Sequence, residues 1–324
     1  MKKKGVFCCA VLFMLSVLTA FYTGFPGTEI SNGQITAKLY LPDNETGYYR
    51  GTRFDWSGVI HSLEYKGHSY FGQWFTEYDP KLHDAIMGPV EEFVALGYNE
   101  AKAGEEFVKI GVGKLVKPVE KPYFFAAQYE ITDPGKWKVV KKPDRVEFTH
   151  ELKDAAGYSY LYKKTVRLVK NKPQLVLEHS LKNTGTRAIE TSTYNHNFFM
   201  IDQEPTGPGI TTTFPFTVAA EGKGFGTIAN ASGNSITYAR ALEKGENVFT
   251  SGVKGLGNQA SDYNINIENK KTGAGVKIIG DKPIEKLVFW SCPTTSCPEP
   301  YIKLSAKPGE EVKWQISYEF YAKP

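Results

Sequence analysis

Regular alternation of apolar and polar residues most constrains how this chain can fold. Near the C-terminus, Val312, Trp314, Ile316, Tyr318 and Phe320 alternate with polar residues. Since successive side chains of a strand point to opposite faces, this period of two predicts a half-buried antiparallel strand. Further apolar or alternating runs predict strands at 35–41, 146–152, 158–169, 175–181, 263–267, 276–279 and 286–290.

Turn signals separate these runs, and helical patterns are scarce. Asn171-Lys172-Pro173 predicts a hairpin loop between 158–169 and 175–181. Segment 84–96 has room for one short turn or helix, but Gly88-Pro89 interrupts it. Long strands without crossover helices indicate antiparallel sheets packed face to face. We therefore predict an all-β fold, with one large antiparallel β-sandwich domain over residues 25–324.

The first 24 residues have the pattern of a targeting segment. Lys2, Lys3 and Lys4 precede an apolar run, which is the layout of a secretory signal peptide. Leu18 stands where a cleavage site usually has a small residue, so an uncleaved N-terminal anchor is the alternative. Both interpretations predict export to the periplasm or the extracellular space, with membrane contact only through this segment.

Charge and motifs exclude several classes of function. The formal net charge is +4, and removing the three leader lysines leaves about +1, which gives no sign of a nucleic-acid partner. The sequence lacks the phosphate-loop, dinucleotide, zinc and serine-hydrolase motifs. We expect no metal site on this basis, although calcium can bind without a spacing signature.

Two cysteines, Cys292 and Cys297, remain after the leader. In an oxidising compartment they are predicted to close the small loop Cys-Pro-Thr-Thr-Ser-Cys, with two free thiols as the alternative. Close by, Glu299 is flanked by Pro298 and Pro300, which restrict the backbone. A carboxylate held in this way is either a loop cap or a preorganised acid–base group.

His196 lies in the segment 194–199, Tyr-Asn-His-Asn-Phe-Phe. A polar triplet between aromatic residues is typical of a sugar pocket, because rings cover the apolar face of the sugar while amide and imidazole groups meet its hydroxyls. A well-packed turn is the alternative. His179, in register with three leucines, is instead predicted to be a hydrogen-bonded core histidine.

Together these features resemble the aldose 1-epimerase, or galactose mutarotase-like, superfamily over about residues 30–324. The segment 195–199 is similar to the family's Asn-His-x-x-Phe catalytic motif, and Asp262 to its sugar-binding aspartate. Glu299 falls where the catalytic glutamate is expected. The resemblance implies the supersandwich fold of that family, and Asn195 and Phe198 as further contacts of the sugar.

The resemblance also implies a mechanism. His196 would act as the acid toward the ring oxygen, Glu299 as the base toward the anomeric hydroxyl, and Asp262 would hold a neighbouring hydroxyl. The family's Gly-Arg-x-x-Asn-Arg segment and second histidine are absent, so Arg53 or Arg50 is predicted to supply the missing positive charge. No metal or organic cofactor is required.

The predicted function is therefore an isomerase that interconverts the anomers of an aldose or of an oligosaccharide reducing end. Its partner would be a small-molecule sugar or oligosaccharide. One alternative is a non-catalytic carbohydrate-binding protein of the same fold. Another is a glycan hydrolase or lyase that uses His196 or Tyr194 with a carboxylate, the only carboxylate pair offered for hydrolysis being Glu299 with Asp262.

Overall fold

The computed structural model describes residues 24–323. Residues 1–23 of the predicted signal peptide or anchor lie outside the described residues. Within the described range, no helix has the length and apolar character needed to cross a membrane.

Strands account for nearly all regular structure in the described range. In chain order the first eleven are β1 (Gly27–Ser31), β2 (Ile35–Tyr40), β3 (Val59–Tyr65), β4 (His68–Ser69), β5 (Gly88–Phe93), β6 (Glu106–Lys109), β7 (Gly113–Val116), β8 (Ile131–Asp133), β9 (Lys136–Lys142), β10 (Arg145–Leu152) and β11 (Tyr160–Leu168). The others are β12 (Gln174–Asn183), β13 (Ile189–Phe198), β14 (Ile210–Thr213), β15 (Ala229–Ser232), β16 (Ser235–Tyr238), β17 (Val248–Thr250), β18 (Asn264–Asn269), β19 (Ala274–Gly280), β20 (Lys286–Cys292), β21 (Thr295–Ala306) and β22 (Glu311–Ala322). Short 3-10 helices occur at Ile201–Gln203 and Ala260–Asp262.

Two large antiparallel sheets form the centre of the structure. One has ten strands in the order β15-β16-β14-β18-β19-β22-β12-β11-β10-β9, and the other has five in the order β17-β20-β21-β13-β5. A four-stranded sheet, β1-β2-β3-β4, and a three-stranded sheet, β6-β7-β8, complete it. The five-stranded sheet is the one that carries the site described below.

The hydrophobic core lies between the two large sheets. Alternate residues of the ten-stranded sheet, such as Leu177 and Ile316, share one buried cluster with Leu287 and Leu304 of the five-stranded sheet. Burial of such side chains is the main stabilising contribution to a sandwich of this kind. The predicted all-β, antiparallel β-sandwich is thus confirmed.

The predicted strands correspond closely to observed ones. The C-terminal alternating run lies within β22, and 175–181 lies within β12. The predicted loop Asn171–Pro173 joins β11 to β12, which pair antiparallel as a hairpin requires. The remaining predicted runs correspond to β2, β10, β11, β18, β19 and β20.

Segment 84–96 is a correction, because it contains β5 and no helix. Gly88 opens this strand with φ of +75°, and a Cβ there would lie 2.5 Å from the carbonyl oxygen of Ile60. Only glycine fits so close a contact at that φ. Pro89 is tolerated because β5 is the edge strand of its sheet. The dipeptide that interrupts a helix is therefore suited to begin an edge strand.

The predicted disulfide is also corrected, since Cys292 and Cys297 are both free thiols. The hairpin of β20 and β21 places Cys292 opposite Thr295, and Cys297 opposite Trp290. The two cysteines are therefore diagonal neighbours, which lie about 7–8 Å apart, with their Cβ atoms somewhat closer. The Cα atoms of a disulfide usually lie about 4.4–6.8 Å apart, so this register does not favour the bridge.

Candidate functional site

A cavity of about 410 Å³ opens on the face of the five-stranded sheet away from the core. This volume is within the range of about 300–1,000 Å³ that is usual for small-molecule sites. Every strand of the sheet contributes to it, and three loops, 41–58, 70–87 and 117–130, complete its wall together with Val94 and Ser251 just beyond β5 and β17. The lining residues are Arg53, Asp84, Glu92, Val94, Tyr123, Phe125, Tyr194, His196, Phe249, Ser251, Lys286, Val288, Trp290, Glu299 and Tyr301.

His196 and Glu299 are neighbours across the two central strands of this sheet. Tyr194 lies opposite Tyr301, and Phe199 forms a bridge with Ser296, so the register places Glu299 opposite His196. The imidazole Nε2 is 3.3 Å from the carboxyl Oε1. Each residue is only 4% exposed. The structure thus brings together both predicted catalytic residues in one cavity.

The backbone around Glu299 explains how this pair is held. Pro298 and Pro300 have no N–H to donate to the neighbouring strand. The backbone pairing of β13 with β21 accordingly stops at Tyr194 and resumes only at Phe199. Asn197 partly fills the gap, since its Nδ2 donates to the carbonyl of Pro298 at 2.9 Å. Glu299 is therefore in the middle of a strand and does not cap a loop.

Burial places this pair in an unusual protonation state. It lowers the pKa of His196 well below its ordinary value, with a further contribution from Arg53. Burial also raises the pKa of Glu299 to about 8, against an opposing effect of Arg53. Both shifts favour a protonated carboxyl beside a neutral imidazole at neutral pH, whereas the resemblance implied that His196 would carry the proton.

The burial of His196 is largely aromatic. Its ring stacks on Phe198 at 3.8 Å between centroids, and Trp74 stacks on the other face of Phe198 at 4.8 Å. Phe54 and Trp290 meet the imidazole edge-on. Phe198 therefore lies beneath His196, and it does not line the cavity as a substrate contact.

Arg53 lies in the cavity wall and forms the centre of an ionic network. Its Nε donates to Glu92 at 2.8 Å, its Nη2 donates to the Tyr194 hydroxyl at 3.0 Å, and its Nη1 contacts Asp84. Glu92 also accepts from Lys109 at 3.0 Å and from Tyr194 at 2.5 Å. These bonds fix the guanidinium beside the His196–Glu299 pair. Substrate binding by Arg53 stays a prediction.

Comparison with solved structures finds several proteins with a similar fold. A GalM/aldose epimerase homologue from C. elegans superposes with a TM-score of 0.53 at 14% identity, covering 93% of this chain and 99% of that one. A galactose mutarotase related enzyme from Lactobacillus acidophilus gives 0.53 at 13% identity, with 91% and 97% covered. A galactose mutarotase-like protein from Clostridium acetobutylicum gives 0.54 at 12% identity, with 92% and 95% covered.

The chain has the galactose mutarotase-like fold. At these identities the likeness shows the fold alone. No family model matches the sequence, and a search of curated proteins found no match either.

Two of the residues predicted to bind sugar lie elsewhere in this mutarotase-like fold. Asn195 points to the opposite face of β13 from His196, and its Nδ2 donates to Glu91 at 3.0 Å between the two sheets. Asp262 ends a 3-10 helix just before β18, which belongs to the ten-stranded sheet, and it does not line the cavity. Asn195 lies away from the site because neighbouring residues of a strand point to opposite faces. Asp262 lies away from it because the strand that follows Asp262 belongs to the other sheet.

Several cavity residues were not predicted from the sequence. Lys286 and Trp290 alternate along a strand that was predicted, so a signal for them was present. Glu92 is on β5, the strand that Gly88-Pro89 concealed. Tyr123 and Phe125 come from the loop before β8 and have no sequence signature. Among the described residues, no cluster of His, Cys, Asp or Glu is arranged to hold a metal ion.

Proposed function

We propose that this protein is a carbohydrate isomerase that interconverts the anomers of an aldose or of an oligosaccharide reducing end. The observation that carries the proposal is the 3.3 Å approach of His196 Nε2 to Glu299 Oε1 in a cavity lined by aromatic and charged side chains. One group there starts protonated and the other starts as a neutral acceptor. Ring opening of a hemiacetal requires such an acid and such a base.

The proton balance of the reaction follows from these two groups. Glu299 donates its proton to the ring oxygen as the bond from that oxygen to the anomeric carbon breaks. His196 Nε2 accepts the proton of the anomeric hydroxyl, which becomes the aldehyde oxygen. After rotation about the adjacent carbon–carbon bond, the same transfers run in reverse and close the ring on the other face.

This cycle is related to the one that the resemblance implies. Transfer of the single shared proton from Glu299 to His196 gives an imidazolium acid and a carboxylate base. Both descriptions contain one proton per pair, and both oxygens involved are bonded to the same carbon. Acid and base at a separation of 3.3 Å suit such a substrate.

The glycan hydrolase alternative is disfavoured by the position of Asp262. It required Glu299 and Asp262 on either side of a glycosidic bond, and of these two residues only Glu299 lines the cavity, whose other carboxylates, Asp84 and Glu92, are bonded to Arg53. A carbohydrate-binding protein without activity remains the alternative that the experiment below must separate. Export through residues 1–24 is a further proposal, which cell fractionation of the full-length chain would test.

The proposal is tested with single anomers of several aldoses and disaccharides, followed by optical rotation or anomeric NMR signals. The protein is expected to speed equilibration, and His196→Ala and Glu299→Gln are each expected to lose at least about a hundredfold in rate. Glu285→Gln, an exposed carboxylate near the same sheet, is the matched control and should retain the rate. Unchanged equilibration across the panel, with sugar binding detected by tryptophan fluorescence, would establish a binding protein instead.

A further inference from the structure

A second concavity, which we call the Arg50 groove, lies behind the walls of the catalytic cavity. It has a volume of about 520 Å³ and is lined by Asn44, Arg50, Trp56, Lys81, Gln128, Tyr129, Glu130, Ile131 and Pro134. The same three loops line both spaces. They place Arg53, Asp84 and Phe125 in the cavity, and Arg50, Lys81 and Gln128 in the groove.

The loops that separate the two spaces are bonded to each other. The Thr52 hydroxyl donates to the carbonyl of Ala127 at 3.1 Å and accepts the backbone N–H of Tyr129 at 3.2 Å. The Tyr49 hydroxyl donates to the carbonyl of His83 at 2.9 Å. The groove is therefore a formed surface, with Trp56 buried at its base through an indole N–H bond to Gly51 at 2.8 Å.

Both cations of the groove are without partners in the described part of the chain. The guanidinium of Arg50 forms no hydrogen bond or ion pair there, and its Nε is buried without an acceptor. The ammonium of Lys81 forms no ion pair. Arg53, only three residues from Arg50, bonds to two carboxylates and a tyrosine. A buried donor that lacks an acceptor in the protein is a place where a ligand or water supplies one.

The lining of the groove holds two cations, Arg50 and Lys81, and one carboxylate, Glu130, which forms no ion pair with either cation among the described residues. Asp79 is also close, and its Oδ1 accepts the backbone N–H of Lys81 at 2.7 Å. Arg50 is close enough to Asp43 to lower the pKa of the Asp43 carboxyl slightly. The Oδ1 atom of Asp43 accepts hydrogen bonds from the backbone N–H groups of Glu45 and Thr46. The side chains of Asn44 and Gln128 make no hydrogen bond within the described residues.

We propose that the Arg50 groove binds an acidic sugar, with its anionic group on Arg50 and Lys81. A guanidinium donates two parallel bonds to a carboxylate or phosphate, and a lysine adds a point charge. The amides of Asn44 and Gln128 are placed to meet sugar hydroxyls, as amide groups do in polar binding sites. The proposal concerns a site separate from the His196–Glu299 pair and does not depend on catalysis.

The test is calorimetric titration of the whole protein at low ionic strength with glucuronate, glucose 6-phosphate, inorganic phosphate and glucose. We expect the acidic sugars to bind and glucose to bind at least about tenfold more weakly, because a charged hydrogen bond is lost. Whichever acidic sugar binds more tightly identifies a carboxylate or a phosphate as the natural anion.

Variants assign the binding to the groove. Arg50→Gln and Lys81→Gln should each weaken acidic-sugar binding by about tenfold, and Glu130→Gln should tighten it. Lys286→Gln is the matched control, because Lys286 lines the catalytic cavity, where its ammonium lies over the Tyr301 ring, and its loss should leave this binding unchanged. Unchanged melting temperatures confirm that the substitutions preserve the fold.

Three results would overturn the proposal. The first is that neither acidic sugar binds the wild-type protein. The second is that binding survives Arg50→Gln with Lys81→Gln but is lost in Lys286→Gln, which would place the anion in the catalytic cavity. The third is that inorganic phosphate binds as tightly as glucose 6-phosphate, which would mean an adventitious ion only.

Discussion

Glu91 and Glu92 are consecutive residues of β5, and their carboxylates lie on opposite faces of the five-stranded sheet. Glu92 faces the cavity and holds Arg53 and Lys109. Glu91 faces the core, where its carboxylate contacts Lys164. The other carboxylate oxygen, Oε1, lies 2.8 Å from His179 Nε2, within hydrogen-bond distance. One short edge strand thus supplies both the ionic wall of the site and a buried ionic cluster behind it.

Glu91→Gln is predicted to destabilise the fold by about 3–5 kcal/mol, because it removes the carboxylate that the buried Lys164 contacts and leaves only Asp55 nearby among the described residues. The free energy of unfolding from chemical denaturation measures this. Glu178→Gln is the matched control, since Glu178 is 40% exposed in its ion pair with Arg167 and should cost less than about 1 kcal/mol. Equal losses in the two variants would contradict the buried cluster.

Glu92→Gln is predicted to lower kcat/KM for the proposed mutarotation by about a hundredfold, through misplacement of Arg53 in the cavity wall. Steady-state kinetics from optical rotation measure the change. Glu106→Gln provides the control, because Glu106 pairs with Lys114 on a different sheet. Full activity in Glu92→Gln would show that the network has no part in the reaction.

His196 shows how much of the site could be predicted from the sequence. Its motif and the prolines around Glu299 marked both residues, but the register that sets them 3.3 Å apart depends on pairing between distant segments. The alternation of β13 was readable, and it assigns Tyr194 and His196 to one face and Asn195 to the other. Asn195 therefore faces the core, although it is adjacent to His196 in the sequence.

The strands themselves were largely predictable, because each has one face in the core and therefore alternates. β5 was not, since its residues are buried on both faces. A fully buried strand of only a few residues has no period to detect, and Gly88-Pro89 at its start imitates a helix break. Asp262 was misplaced for a related reason, because membership in one sheet or the other is not encoded in a local pattern.

Differential labelling is predicted for the two cysteines. A thiol-specific reagent on the native protein should modify the half-buried Cys292 and not the buried Cys297, whose pKa is raised by burial. Peptide mapping by mass spectrometry locates the label, and Cys297 should react after unfolding. Protection of both thiols that disappears on addition of a reductant would instead indicate a disulfide.

Glu299→Gln is predicted to gain stability relative to wild type as pH rises. The pKa of Glu299 is raised to about 8 in the folded protein by burial, above its unfolded value, so the folded state holds the proton more tightly. Wild-type stability therefore falls as pH rises from about 4.5 to about 8, by on the order of 4 kcal/mol at 1.36 kcal/mol per unit. Gln cannot titrate, and unfolding free energies at about pH 5 and about pH 8 give the difference.

The same pair sets the expected pH dependence of the reaction. The proposed reaction requires one proton shared between His196 and Glu299, so kcat/KM should fall above about pH 8 as that proton is lost. It should not fall on acidification through the ordinary histidine range, because the pKa of His196 is lowered well below it by burial and Arg53. Rates are measured on single anomers after subtraction of the uncatalysed reaction at each pH.

Arg53→Gln should move the alkaline fall in kcat/KM to higher pH, since Arg53 is the main charge that lowers the pKa of Glu299. A decline centred near pH 6.5 in the wild-type protein would mean that an ordinary exposed histidine, and not this buried pair, controls the rate.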